Sequence, residues 1–182
     1  MKIDLLRVTQ EQKSVIQNLA RFYAYDLSKS CGFYDLFDWS FPETGFYEGR
    51  DLSDYWGVNC HPFIIRIDNK LAGFAIVDKA GTTKDVDWNM VEFFIVGKFQ
   101  GKAVGVKVAI KLFNEFPGIW EVVQMPDNAP VIKFWKKVIE KYTNNNFTED
   151  KKILPDPQPH ENIILKFKSN FKTLASPESL LK

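Results

Sequence analysis

The sequence predicts an α+β fold, a single domain on one mixed, mostly antiparallel β-sheet with helices on both faces. Three observations carry that expectation. Apolar periodicity changes along the chain in the order strand, helix, irregular stretch, three strands, helix, strand, helix, two strands. The first consecutive strands are joined by a turn-length connection, which suits antiparallel neighbours. A strand-helix-strand unit sits in the centre, where a crossover helix joins parallel neighbours.

Residues 3–8 form a short apolar run with a charged interruption, as in a half-buried strand. Thr9 and Gln12 fit a capping box. Val15, Ile16, Leu19, Phe22, Tyr23 and Leu27 then recur at helical spacing, predicting a helix that ends near Ser28. Residues 31–56 have no clean period. They mix Gly32, Pro42, Gly45 and Gly49 with many aromatics, and set Asp35, Asp38, Glu43, Glu48, Asp51 and Asp54 against Arg50 alone. Irregular or short helical structure with an acidic, aromatic surface is expected there. Residues 62–68 and 70–79 read as a hairpin turning at Asp68-Asn69, and 86–96 as a long strand. Val104, Val108, Ala109, Leu112, Phe113 and Phe116 make a helical stripe stopped by Pro117-Gly118. A strand at 119–124 follows. Asn128 is a suitable N-cap, and Val131, Phe134, Trp135, Val138, Ile139 and Tyr142 give the clearest stripe, ended by Asn144-Asn145-Asn146. Two weaker strands, 147–154 and 162–168, flank a proline-rich turn. The domain spans 1–168, and 169–182 reads as a loose tail.

The 182 residues carry 24 Lys plus Arg against 23 Asp plus Glu, a net charge of +1, and 45% are hydrophobic. Such a chain can bury a core, which excludes disorder as its main state, and it lacks the basic field that draws nucleic acid. Cys31 and Cys60 are too few for a disulfide scaffold or a four-cysteine zinc site, which fits a reducing compartment, and both read as buried small side chains. The first residues turn polar too early for a signal peptide, and no run approaches the ~18 apolar residues of a membrane span. The expected location is the cytoplasm, with no membrane partner. His61 and His160 do not stand at metal spacing with the cysteines, and no G-x-S-x-G elbow occurs, so neither a metal nor a serine nucleophile is expected. A monomer and a homodimer fit equally well.

The junction of the long strand and the central helix carries the chemical signal: Gly97-Lys98-Phe99-Gln100-Gly101-Lys102-Ala103-Val104-Gly105. A strand, a glycine-containing loop and a helix start aim backbone N–H groups and the positive helix end at one point, which suits a phosphate. A P-loop needs four residues before its Gly-Lys pair and a Ser or Thr after it. Here there are three, followed by Ala103. Glycines four apart do not make a dinucleotide fingerprint either.

Gln100-Gly101-Lys102-Ala103-Val104-Gly105 resembles the Gln/Arg-x-x-Gly-x-Gly/Ala signature of the GNAT acyl-CoA N-acyltransferases. Ala103 stands where that family usually has glycine, and Gly97 where it often has proline. Asn128, Phe134, Trp135 and Lys137 match the spacing of the family's Asn-x-x-Ala-x-x-Phe-Tyr-x-Lys helix, with Val131 for the alanine. The element order agrees over nearly the whole chain, and several stretches look like a subgroup of bacterial predicted acetyltransferases. The resemblance implies acetyl-CoA as co-substrate, a cleft where the fourth and fifth strands splay, and transfer to a primary amine of a small molecule or peptide. It implies main-chain contacts from Phe93 and Ile95 to the pantetheine arm, and N–H groups of Gln100, Gly101, Lys102, Ala103, Val104 and Gly105 on the diphosphate. The other reading is a CoA-binding module with little or no catalysis.

Lys98 and Lys102 read either as phosphate contacts or as solvated loop lysines, and Asn128 as a contact to the arm, a helix cap, or both. Glu92 is the base candidate, since it stands on the strand leading into the loop just before an apolar run; the bland reading is an exposed carboxylate. Asp87 is a weaker candidate. Trp135 occupies the family's tyrosine position and cannot donate a proton as an acid. Tyr142, on the same face, reads as core, and His61 as structural. For the acceptor, the acidic aromatic segment offers Tyr34, Asp35, Trp39 and Tyr55, with carboxylates and ring faces suited to a cationic amine.

Overall fold

The computed structural model describes residues 1–31, 40–47, 49–155 and 159–169. Its strands are β1 (Ile3–Arg7), β2 (His61–Ile67), β3 (Lys70–Asp78), β4 (Trp88–Ile95), β5 (Gly118–Gln124), β6 (Phe147–Leu154) and β7 (His160–Ser169). Its α-helices are α1 (Lys13–Cys31), α2 (Val104–Glu115) and α3 (Ala129–Thr143). The strands form one sheet in the order β1-β2-β3-β4-β5-β7-β6, antiparallel throughout except for β4 and β5. This is the mixed α+β architecture that the sequence predicts.

Two apolar layers hold the helices to opposite faces. On one, Ile16, Leu19 and Ala20 of α1 pack with Leu52 on Ile64, Phe74, Ile76 and Phe94. On the other, α2 and α3 bury Val108, Leu112, Phe113, Trp135, Ile139 and Tyr142 against Ala75, Trp120, Val122 and Phe167. Burial of such side chains, worth about 1.5–3 kcal/mol each, is the main force closing the sheet.

The site is positioned by a short parallel pairing. β4 and β5 are matched only at Trp88↔Trp120 and Asn89↔Glu121, after which the strands separate. Asp87 locks the closed end: its N–H donates to Ile119 O at 2.8 Å, and its Oδ2 accepts the Ile119 N–H at 2.8 Å. Gly118, at φ +142°, leaves room for that carboxylate, since a Cβ there would lie 2.5 Å from Asp87 Oδ2. Asp87 thus has a structural role, which replaces its reading as a candidate base. A register shift beside Ile76 puts Val91 in a bulge, and the bulge turns Glu92 and Phe94 to the α1 face while Met90 and Phe93 face α2 and α3.

Three local expectations are revised. α1 runs past Ser28 to Cys31, because Ser28 Oγ donates back to Tyr25 O at 2.7 Å and Lys29 pairs with Asp26 at 3.0 Å, so its polar residues continue the last turn. Asn128 stands at the N-cap position of α3 but makes no side-chain cap hydrogen bond. Cys60, expected to be buried, is only partly so. Within 31–56, the described residues after α1 are irregular apart from a 3₁₀ turn at Ser53–Trp56. Tyr34, Asp35 and Trp39 lie outside the described residues, as do 170–182 of the expected tail.

Candidate active site

Past Ile95, the chain makes a 3₁₀ turn at Gly97–Phe99 and enters α2 at Val104. Gly101 (φ +72°) and Ala103 (φ +57°) both adopt the left-handed conformation that turns the loop into the helix. Ala103 occupies the N-cap position and supplies no side-chain cap, so the first-turn N–H groups of α2 are left for an external acceptor. Gln100 differs from expectation. Its main-chain N–H donates to Gly97 O at 3.2 Å and its Nε2 to Ile95 O at 2.7 Å, so Gln100 braces the loop instead of offering a free amide. Gly105 serves packing: a Cβ there would lie 3.1 Å from the Phe134 ring, where α2 crosses α3. Lys98 and Lys102 are exposed at the mouth of this loop.

A cleft of about 1160 Å³ runs from the α1 side of the sheet into the gap between β4 and β5. Glu92 lies in its wall, 2% exposed. Arg50 Nη1 is 2.7 Å from its Oε1, an ion pair whose angle falls outside hydrogen-bond geometry, and Tyr23 contributes a side-chain hydrogen bond to the carboxylate. Burial pushes the Glu92 carboxyl above its ordinary range, and Arg50 and Tyr23 oppose that rise. Arg50 is held in place from behind. Gln17 donates to Arg50 O at 2.8 Å and accepts the Leu52 N–H at 3.1 Å, while Gly49 (φ +76°) sits so close to α1 that a Cβ would lie 2.6 Å from Arg21 Cα. Arg50 Nη2 also donates to Tyr55 Oη at 3.0 Å. The structure therefore gathers Glu92 and Tyr55, both anticipated, with Arg50 and Tyr23. Tyr23 was read only as helix stripe and Arg50 only as a lone cation. The signal available for Arg50 was its isolation among six carboxylates.

Beyond the bulge, the α1 face of the sheet is polar. Both Glu121 oxygens are held by Thr82, from its N–H at 2.6 Å and its Oγ1 at 2.8 Å. Asp78 lies near them across β4 and is pushed up to about 6, by burial first; the Ala80 and Asn89 hydrogen bonds oppose the rise and the Glu121 charge adds to it. On the opposite wall stand Gln124 and Asn128, 4% and 7% exposed.

Other candidates are placed in the core. Trp135 packs against Phe93 and Phe134, with ring centres 5.0 Å from each. Tyr142 Oη donates to Asn114 Oδ1 at 2.8 Å and lies 3.0 Å from Ser169 Oγ, whose own proton goes to Phe113 O. His61 stacks on Phe116 and its Nδ1 meets Arg7 Nη1 at 2.9 Å. Among the described residues, no cluster of His, Cys, Asp and Glu could hold a metal ion, and no helix is long and apolar enough to cross a membrane.

The architecture has many solved counterparts. An acetyltransferase from Thermus thermophilus superposes with a TM-score of 0.60 at 13% identity, over 92% of this chain and 98% of that one. The ribosomal-protein-S18-alanine N-acetyltransferase from Escherichia coli gives 0.55 at 13% identity, over 93% and 95%. A GNAT family acetyltransferase from Elizabethkingia anophelis with acetyl-CoA bound gives 0.50 at 10% identity, over 91% and 97%. The chain thus has the fold of the GNAT acetyltransferases, as its loop and helix motifs imply. No family model and no curated protein matches its sequence.

Proposed function

We propose that the protein is an N-acetyltransferase that moves an acetyl group from acetyl-CoA to a primary amine of a small molecule or peptide by direct transfer. The observation that carries this reading is the meeting of three features at one gap: strands β4 and β5 that part after two pairs, an uncapped α2 N-terminus at their open end, and the buried Glu92 carboxylate on β4. In this reading, N–H groups from Gly101 to Gly105 take the diphosphate, Lys98 and Lys102 add charge at its mouth, and main-chain groups of Phe93 and Ile95 guide the arm. Glu92 removes the proton from the attacking amine, directly or through water. The new C–N bond forms as the C–S bond breaks, and the electron pair leaves on the thiolate. Its raised proton affinity suits a base working near neutral pH. Tyr55 and Tyr47 line the acceptor side, and Tyr34, Asp35 and Trp39 belong to the same segment of sequence.

Release of free CoA thiol over a panel of polyamines, aminoglycosides, amino acids and peptide N-termini tests this. Silence across the panel counts against it. A CoA-binding module without turnover is the rival, favoured by the Arg50 guanidinium that occupies one side of Glu92. Turnover abolished by Glu92→Gln with CoA binding intact eliminates that rival.

A further inference from the structure

Among the described residues, Arg50 is the only cation that lines the cleft, and its side chain is 41% exposed. The lining carboxylates other than Glu92 are already held by donors of the chain. Asp51 accepts the Ser53 N–H at 2.9 Å and the Ser53 hydroxyl at 3.0 Å, and Glu121 accepts from Thr82 through both oxygens. Rings of the lining are engaged too. Arg21 lies 3.8 Å from the centre of the Phe46 ring, and Arg50 itself 5.8 Å from that of Tyr55. The described carboxylates and rings that would suit a cationic acceptor are thus occupied within the chain, whereas a negative group on the acceptor meets Arg50.

Arg50 also stands beside the base, with Nη1 2.7 Å from Glu92 Oε1 and Nη2 donating to Tyr55 Oη. When Glu92 takes the proton of the attacking amine it becomes neutral, and the guanidinium, which keeps its own proton, loses its counter-charge. The transfer therefore works against a fixed positive charge. A carboxylate carried by the acceptor restores the balance if it reaches Arg50 while the amine reaches Glu92. Because those two side chains touch, the amine and the carboxylate must be neighbours on the acceptor as well, and one carbon between them meets that condition. We propose that the acceptor is a free α-amino acid, its carboxylate held by the Arg50 guanidinium and its amine by the Glu92 carboxylate. This rests on the acyltransferase reading and names the acceptor class for it. The carboxylate is unchanged by the reaction: the amine nitrogen gives its proton to Glu92 and bonds to the acetyl carbon, and the thiolate leaves with the C–S electron pair. Leu27, Pro42 and Phe46 in the same cleft offer an apolar wall to the amino acid's side chain.

The test is release of free CoA thiol by the whole protein with leucine, methionine and phenylalanine, each compared with its carboxamide, at saturating acetyl-CoA and on the pH plateau of each protein. The carboxamide keeps the amine and the side chain and removes the negative charge. Its amine also loses a proton more readily, so intrinsic reactivity works against the expected result. Wild type is expected to favour the amino acid of the best pair at least about tenfold in kcat/KM. Arg50→Met is expected to lose that preference, the amino acid falling at least about tenfold and the carboxamide staying within about threefold, and Arg50→Lys to recover part of it. If Arg50→Met fails to fold, Arg50→Lys serves instead and is expected to lower the preference. Carboxamides used as well as the amino acids by wild type overturn the inference, and so does a preference that survives undiminished in the folded variant. Turnover confined to amines without a carboxylate overturns it while the acyltransferase reading stands. No turnover with any amine removes that reading and this inference together.

Discussion

Asp78→Asn gives a stability change whose sign depends on pH. Asp78 ends β3, 6% exposed, where burial holds its carboxyl at about 6 against an ordinary 3.8. The folded chain therefore keeps a proton that the unfolded chain has already released. The stability this proton supplies is complete below about pH 4 and is lost as pH rises through about 6. Two pH units at roughly 1.4 kcal/mol each give a cost of about 3 kcal/mol above pH 7. Asparagine keeps the oxygen that accepts the Ala80 N–H at 3.1 Å and carries no charge to desolvate. Denaturant unfolding of both proteins from pH 4 to 8 is expected to show near-equal stability at the acid end and a variant more stable by about 2–3 kcal/mol at pH 8. A difference that does not grow with pH, or a less stable variant at pH 8, would refute the assignment of a buried, charge-disfavoured Asp78.

Ala103→Gly relieves a left-handed alanine at φ +57°; the gain of about 1–2 kcal/mol, less the extra freedom of glycine in the unfolded chain, leaves about 0.5–1 kcal/mol of added stability in a denaturant melt. Tyr142→Phe leaves the half-buried Asn114 Oδ1 short of a donor and is expected to cost about 1 kcal/mol with turnover at saturating substrate unchanged. A collapse of turnover at unchanged stability would instead make Tyr142 a proton donor. Arg50→Met removes a charge that lowers the Glu92 proton affinity, so the acid limb of the kcat/KM profile should move to higher pH with the same amine. A limb that stays in place, or moves to lower pH, would separate Glu92 from the proton removal.

Much of the architecture follows from periodicity. The stripes of α2 and α3 face the core as their spacing demands, and the hairpin turns at Asp68-Asn69, where both residues take positive φ. The loop at Gly101 to Gly105 was legible because a glycine-containing turn between a strand and a helix start is local information, and its spacing sets it apart from a P-loop. Glu92 stands out in the sequence as an acid beside an apolar run, but its burial does not.

What the chain order could not convey was which distant groups meet. Arg50 reaches Glu92 only because Gln17 and Gly49 press its loop onto α1, 33 residues away in sequence for the Gln17 contact. The bulge at Val91 decides which face Glu92 takes, and a period of two carries no trace of one extra residue until the partner strand is in register. Local sequence set the elements and the loop, since propensity and helix-end chemistry act over a few residues. The pairing of Arg50 with Glu92, the clamp at Asp87 and the burial of Gln124 were decided by tertiary structure, because burial and charge contacts form only when the whole sheet has closed.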